Sequence, residues 1–252
     1  MNSRVGTNAH ALERQSGTLR QYLSNVFFVM TMGLMLTGTI ALFISRSDAS
    51  MTSLFHTTSY IDSSGKEKLT FVASGYWYFA AISELVLVVF LSWFGLASKL
   101  GTVTALVTFS VFAGLNGVTL APVLYAYTAA SITKVFFIAA TMFGSCALWG
   151  HTTKTDLTRF GLFFLAVLVG LLVALIAGIF LQSSLYDLGV SSLAVLLFAA
   201  LTAYDMQRLE QIYNDEGQTY TTGTIIFGAL TLYLDFINMF IHLLRLFGVK
   251  KD

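Results

Sequence analysis

The stretch from Phe160 to Leu181 reads FGLFFLAVLVGLLVALIAGIFL, and every residue in it is apolar or glycine. A helix of this length, at 1.5 Å per residue, crosses the roughly 30 Å of a bilayer's hydrocarbon core. A membrane β-strand of roughly 10 residues would alternate apolar and polar, and this stretch does not alternate. The composition agrees. With 56% apolar and 11% charged residues, the chain falls far below the roughly 25% charge of a soluble domain. Its charges also sit in short clusters between long apolar runs. An all-α integral membrane protein is the expected class.

Working outward from that stretch, the apolar runs give spans of Tyr22 to Ile44, Gly75 to Ala97, Val103 to Tyr125, Ser131 to Trp149, Phe160 to Leu181, Leu188 to Met206 and Gly223 to Phe247. The expected organisation is a polar N-terminal tail over residues 1–21, a seven-helix transmembrane domain over 22–248 and a short C-terminal tail over 249–252. The run after the tail is too long for a cleavable signal peptide and lacks its small-residue exit. Ser45 to Ser74, rich in Ser and Thr and holding the turn-prone string Asp62, Ser63, Ser64, Gly65, Lys66, reads as a mobile extramembrane loop. The other connections are short, so successive helices are antiparallel neighbours. No internal repeat is evident.

Net charge of +1 with no polybasic patch excludes a nucleic-acid partner, and a single cysteine, Cys146, excludes disulfides and thiolate metal clusters. The positive-inside rule leaves orientation balanced. With the N-terminus inside, Arg4, Arg14, Arg20, Lys99, Lys154, Arg159 and Arg208 face inward, against Arg46, Lys66, Lys68, Lys134, Arg245, Lys250 and Lys251 outward. The three tail arginines tilt the N-terminus toward the cytoplasm.

Three acidic side chains lie well inside the spans: Glu84, Asp205 and Asp235. Each costs about 2.5–3.5 kcal/mol on insertion scales, which makes an intramembrane carboxylate a functional candidate before a packing one. In the last span, Thr224, Gly228, Thr231, Asp235, Asn238, His242 and Arg245 recur at alternating spacings of four and three, a polar stripe on one helix face. Lipid offers no hydrogen-bond partner, so the stripe must face protein or water. Thr231, Asn238 and His242, with Glu84, are the candidate ion-pathway residues. Asp205 and Asp235 can share a bundle interior. However, roughly 13 residues of helix from Thr222 put Asp235 about 20 Å deep, while Asp205 reads as shallower, so tilt or a later helix start must close the gap.

Two carboxylates 4 Å apart repel by about 4 kcal/mol at an effective dielectric of 20, so a pair in a poorly hydrated site shares one proton and becomes a candidate pH switch. Fully ionised, the pair is a candidate calcium site through oxygen ligation.

The strings Thr202, Ala203, Tyr204, Asp205, Met206, Gln207 and Leu230, Thr231, Leu232, Tyr233, Leu234, Asp235, Phe236, Ile237, Asn238 resemble the Bax inhibitor-1, or transmembrane Bax inhibitor motif, family, particularly its bacterial inner-membrane members. Gly114 to Leu120, Tyr125 and Thr153 to Leu157 fall in the family's order. The resemblance implies seven helices, with two three-helix layers around a central C-terminal helix. It also implies a pH-sensitive calcium leak gated by an aspartate pair, here Asp205 and Asp235, and a basic latch, for which Lys99 and Arg208 are candidates. Met206 stands where the family usually has threonine, and His151 where tyrosine is common. No cofactor is implied; calcium enters only as the transported ion, and no enzymatic activity is expected.

Other readings are weaker on residue grounds. An intramembrane aspartyl protease needs a Gly-x-Gly aspartate and a Pro-Ala-Leu element, but Leu232, Tyr233 and Leu234 precede Asp235, and Pro122 is the single proline. A Ser145–His242 dyad lacks the glycine that should follow the nucleophile. A retinal protein needs a lysine that the last span lacks. The main non-channel alternative is a regulatory partner of a membrane protease or stress-response complex.

Overall fold

The computed structural model of the chain describes residues 15–61, 67–93, 102–181 and 183–251. Its helices are α1 (Leu19–Ser45), α2 (Asp48–Leu54), α3 (Gly75–Trp93), α4 (Thr102–Ala126), α5 (Ala129–Thr152), α6 (Gly161–Leu181), α7 (Ser184–Asp215) and α8 (Thr222–Phe247). Four strands form two antiparallel pairs: β1 (Gln15–Ser16) with β4 (Thr219–Tyr220), and β2 (Phe55–Ile61) with β3 (Glu67–Ala73).

Among the described residues, six helices are long and apolar enough to cross a membrane: α1, α4, α5, α6, α7 and α8. The chain is a multi-pass membrane protein. Seven crossings were expected. The expected span from Gly75 falls on α3, whose described apolar stretch, Gly75–Val88, is shorter than the roughly 20 residues a crossing takes. Residues 94–97, which were to complete it, lie outside the described residues. The apolar surface of the spans is widely exposed, with Leu162 at 84% and Phe180 at 81% on α6, as lipid contact requires.

The chain divides into two compact units, Met1–Met30 with Tyr127–Asp252, and Thr31–Ala126. In the first, α7 packs on α5, α6 and α8, and α8 also packs on α5. In the second, α3 packs on α4, and α2 abuts the β2–β3 hairpin.

Local chemistry sets the element ends. The Thr128 and Ser183 side chains accept backbone N–H bonds at the starts of α5 and α7. At the start of α8, Thr221 and Thr224 form a reciprocal capping box. The turn after α7 places Gly217 at φ 71° and Gln218 at φ 61°, left-handed values that end the helix.

Three expectations are corrected. Ser45 to Ser74 is not a structureless loop. Phe55–Ile61 and Glu67–Ala73 are rich in β-branched and aromatic residues and flank the polar string Asp62 to Lys66, which is the signature of a hairpin. They pair from Phe55↔Ala73 to Ile61↔Glu67, and the Ser74 N–H donates to the Leu54 carbonyl at 2.8 Å to close the base. The string Asp62 to Lys66 itself lies outside the described residues. The polar tail ends in structure as well: Gln15 and Ser16 pair with Tyr220 and Thr219, and α1 begins at Leu19. Finally, α7 does not stop at Met206 but runs to Asp215, because Leu209 and Tyr213 continue its buried face and no residue breaks the helix before the turn.

Candidate functional site

The extension of α7 removes the depth mismatch. Ten further residues beyond Asp205 add about 15 Å of helix, close to the roughly 20 Å that separates Asp235 from the start of α8. The antiparallel helices then meet level. The Asp205 and Asp235 carboxyls face each other at interacting distance, and both residues are buried, at 7% and 4% exposure. The Thr202 hydroxyl, one turn from Asp205 on the same face of α7, also lies against Asp235. It donates to the Phe198 carbonyl at 2.7 Å as well. The Oδ2 atom of Asp235 has no hydrogen-bond partner among the described residues.

Arg208 acts electrostatically on Asp205 from the next turn of α7, while its guanidinium sits 5.9 Å above the Phe227 ring. The other latch candidate, Lys99, lies outside the described residues.

The seam continues along both helices. Toward the C-terminal end of α8, His242 is 4% exposed, its Nδ1 is 3.4 Å from Ser191 Oγ, and its ring stacks on Phe198 at 6.4 Å. Toward the N-terminal end, a Cβ on Gly228 would stand 2.9 Å from Leu209 Cδ2 and 3.2 Å from Val26 Cγ2, so the helices approach where the side chain is absent.

The polar stripe is therefore split. Gly228, Asp235 and His242 engage α7. Thr231 and Asn238 are half-buried and turn back on their own helix, Thr231 Oγ1 donating to the Phe227 carbonyl at 3.0 Å and Asn238 Nδ2 to the Leu234 carbonyl at 2.8 Å. Arg245 is exposed. The α8 helix is enclosed beyond its stripe: 72% of its most apolar window is buried, against at most 39% in any other crossing helix.

Glu84 belongs to the other unit. Its carboxylate accepts from Asn116 Nδ2 and from Thr119 Oγ1, the latter at 2.8 Å, so α4 satisfies the acid that α3 carries.

No group of three or more His, Cys, Asp or Glu side chains converges on one point among the described residues.

Sequence reasoning assigned no role to Gln207, Thr202 or Ser191. Gln207 fastens the connection between α5 and α6: its Oε1 accepts from the Leu157 N–H at 2.9 Å, and its Nε2 donates to the Thr155 and Thr153 carbonyls at 2.8 and 3.4 Å. Thr202 was findable, since it sits three residues before Asp205 on one helix face. Ser191 carries no such signal.

Comparison with known proteins follows the same residues. A family model described as Inhibitor of apoptosis-promoting Bax1 matches residues 19–252. The chain is 35% identical over 237 residues to Inner membrane protein YbhL of Escherichia coli (strain K12), covering 92% of this chain and 93% of that protein. It is 34% identical over 240 residues to Uncharacterized protein RP147 of Rickettsia prowazekii, covering 93% and 92% respectively. An uncharacterized protein of Caulobacter vibrioides is 35% identical over 236 residues, covering 93% of this chain and 90% of its own length.

Proposed function

The chain belongs to the Bax inhibitor-1 family, and from that premise we propose that it is a bacterial inner-membrane protein that leaks cations, calcium above all, through a pathway gated by the proton shared between Asp205 and Asp235. The observation that carries this reading is the juxtaposition of two buried carboxyls, Asp205 on α7 and Asp235 on α8. Two ionised carboxylates are acceptors only, so a hydrogen bond between them forms only while one of them holds a proton.

Loss of that proton changes the sign of the interaction. The bond gives way to two negative charges, which at 4 Å and an effective dielectric of 20 repel by about 4 kcal/mol, more than a single hydrogen bond contributes. The pair can then separate or recruit a cation. Two carboxylates and a hydroxyl form an incomplete shell for calcium, which suits an ion that passes rather than one that is stored. Arg208, already acting on Asp205, is the basic group placed to compete for the ionised form. The proposed architecture counts α3 as a seventh crossing and arranges the other six helices in two layers around α8, in keeping with the enclosure of that helix.

The test is calcium flux through purified protein in liposomes across a pH series. Wild-type flux is expected to change with pH. Asp205→Asn and Asp235→Asn, whose amides neither gain nor lose a proton in this range, are expected to flatten the profile. Unaltered profiles in both variants overturn the gate.

A further inference from the structure

In the first unit, buried side chains from α1, α7 and α8 stack in layers between the aspartate pair and the end of the helices. The outermost layer is aromatic: Tyr22 stacks on Tyr213 at 5.7 Å and lies against Tyr220 at 5.5 Å. One turn inward lie Val26, four residues beyond Tyr22, and Leu209, four residues before Tyr213, closing against Gly228. One turn further is Asp205, four residues before Leu209, facing Asp235, seven residues beyond Gly228. Tyr22 and Val26 are fully buried and Leu209 is 1% exposed.

This stack is held shut from outside. The Tyr213 hydroxyl donates to the Gly17 carbonyl, Gln15 and Ser16 pair with Tyr220 and Thr219, and Thr18 and Gln21 cap the start of α1 reciprocally. Gly17 itself is wedged against the Tyr220 ring, where a Cβ would stand 2.7 Å from the hydroxyl. The segment before α1 is thus tied to the far ends of α7 and α8. Beneath it the Tyr22 hydroxyl is buried with no hydrogen-bond partner.

We propose that Val26, Leu209 and Gly228 form a hydrophobic constriction that closes the aspartate pair off from the water at this end, and that residues 15–18, strapped to Tyr213 and Tyr220, hold it closed. Apolar constrictions gate by excluding water, and neither Val26 nor Leu209 offers an ion a ligand. The inference rests on the proposed leak, because a constriction has a function only if something passes. Two controls would act in series: a proton at the pair and a strap at the mouth.

The test reads access rather than flux. In full-length protein in liposomes, with Cys146→Ala to remove the native thiol, Thr202→Cys places a thiol beside the aspartate pair, beyond the constriction. A charged methanethiosulfonate reagent is expected to modify it slowly. Adding Tyr213→Phe, which keeps the ring stack and removes only the bond to Gly17, should speed modification severalfold; Leu209→Ala, which opens the constriction itself, should speed it further. Unchanged rates in both folded variants overturn the proposal. Because labelling needs no calcium, the two readings fail separately. Faster labelling without calcium flux at any pH leaves the strap standing and removes the leak. Aspartate-dependent flux with unmoved labelling does the reverse.

Discussion

Gly150 on α5 lies so close to Ala203 on α7 that a Cβ on the glycine would stand 2.3 Å from the Ala203 carbonyl oxygen and 2.8 Å from its Cα. The obstructing atoms are backbone, which cannot rotate away. Gly150→Ala should therefore push the two helices apart, at a cost of about 1–3 kcal/mol, the usual range for overpacking. Thermal unfolding in detergent measures it, and an unchanged or raised midpoint would show that the helices are not in contact there.

Gln207 ties the connection between α5 and α6 to α7 through one accepted and two donated bonds. A net contribution of about 0.5–1.5 kcal/mol per bond means that Gln207→Ala should raise amide exchange at Leu157 by roughly tenfold or more. Gln207→Glu keeps the acceptor and loses the donors, so its effect should be smaller. Equal exchange in all three proteins would show that the clamp contributes nothing.

Glu84 should tune conduction without setting its pH response, since Asn116 and Thr119 on α4 hold it. Glu84→Gln keeps the shape and removes the charge, and cation flux should fall while the pH midpoint stays in place. Normal flux through that variant, together with modification of wild-type Glu84 by a lipid-phase carbodiimide, would reject a place in the pathway.

Outside the spans, the Thr158 hydroxyl beside Asp156 holds its carboxyl below the usual carboxylate range, with the Arg159 guanidinium and the Thr158 N–H assisting. A depressed folded value stabilises the ionised form. The contribution is complete above the ordinary value near about 3.9 and disappears as pH falls through the lower folded one. Asp156→Asn should therefore speed Thr158 amide exchange at neutral pH, and the difference from wild type should shrink as acid protonates Asp156. A difference that persists in acid would assign the effect to geometry rather than charge.

The membrane class and six crossings were legible because a span announces itself residue by residue: Phe160 to Leu181 has no polar side chain to argue otherwise. The aspartate pair was legible by cost alone, since lone carboxylates in apolar helices demand partners. Its level was not. Gln207, Arg208, Glu210 and Gln211 read as the end of a span, yet they are good helix formers, and only Leu209 and Tyr213 show that the buried face continues through them. The stripe on α8 was visible as a pattern, but which members reach across and which fold back depends on the neighbour. Asp235 has Thr202 and Asp205 opposite it, whereas Thr231 and Asn238 bond carbonyls of their own helix. The hairpin was missed because serine and threonine suit loops and strands alike, and the alternating partner strand settles the matter only once both are paired.

The clamp at Gln207 has a consequence for how the membrane interior communicates with its surface. Gln207 lies two residues from Asp205 on one rigid helix, so any displacement of α7 that parts the carboxyls must carry the backbone of Thr153, Thr155 and Leu157 along or tear it loose. Under the proposed gate, the exposed connection around Lys154 would be a mechanical readout of the proton at the pair, and a fluorophore placed there would report it. Linkage runs both ways: a ligand that grips this connection more tightly in one arrangement shifts the proton at the pair by the same free energy.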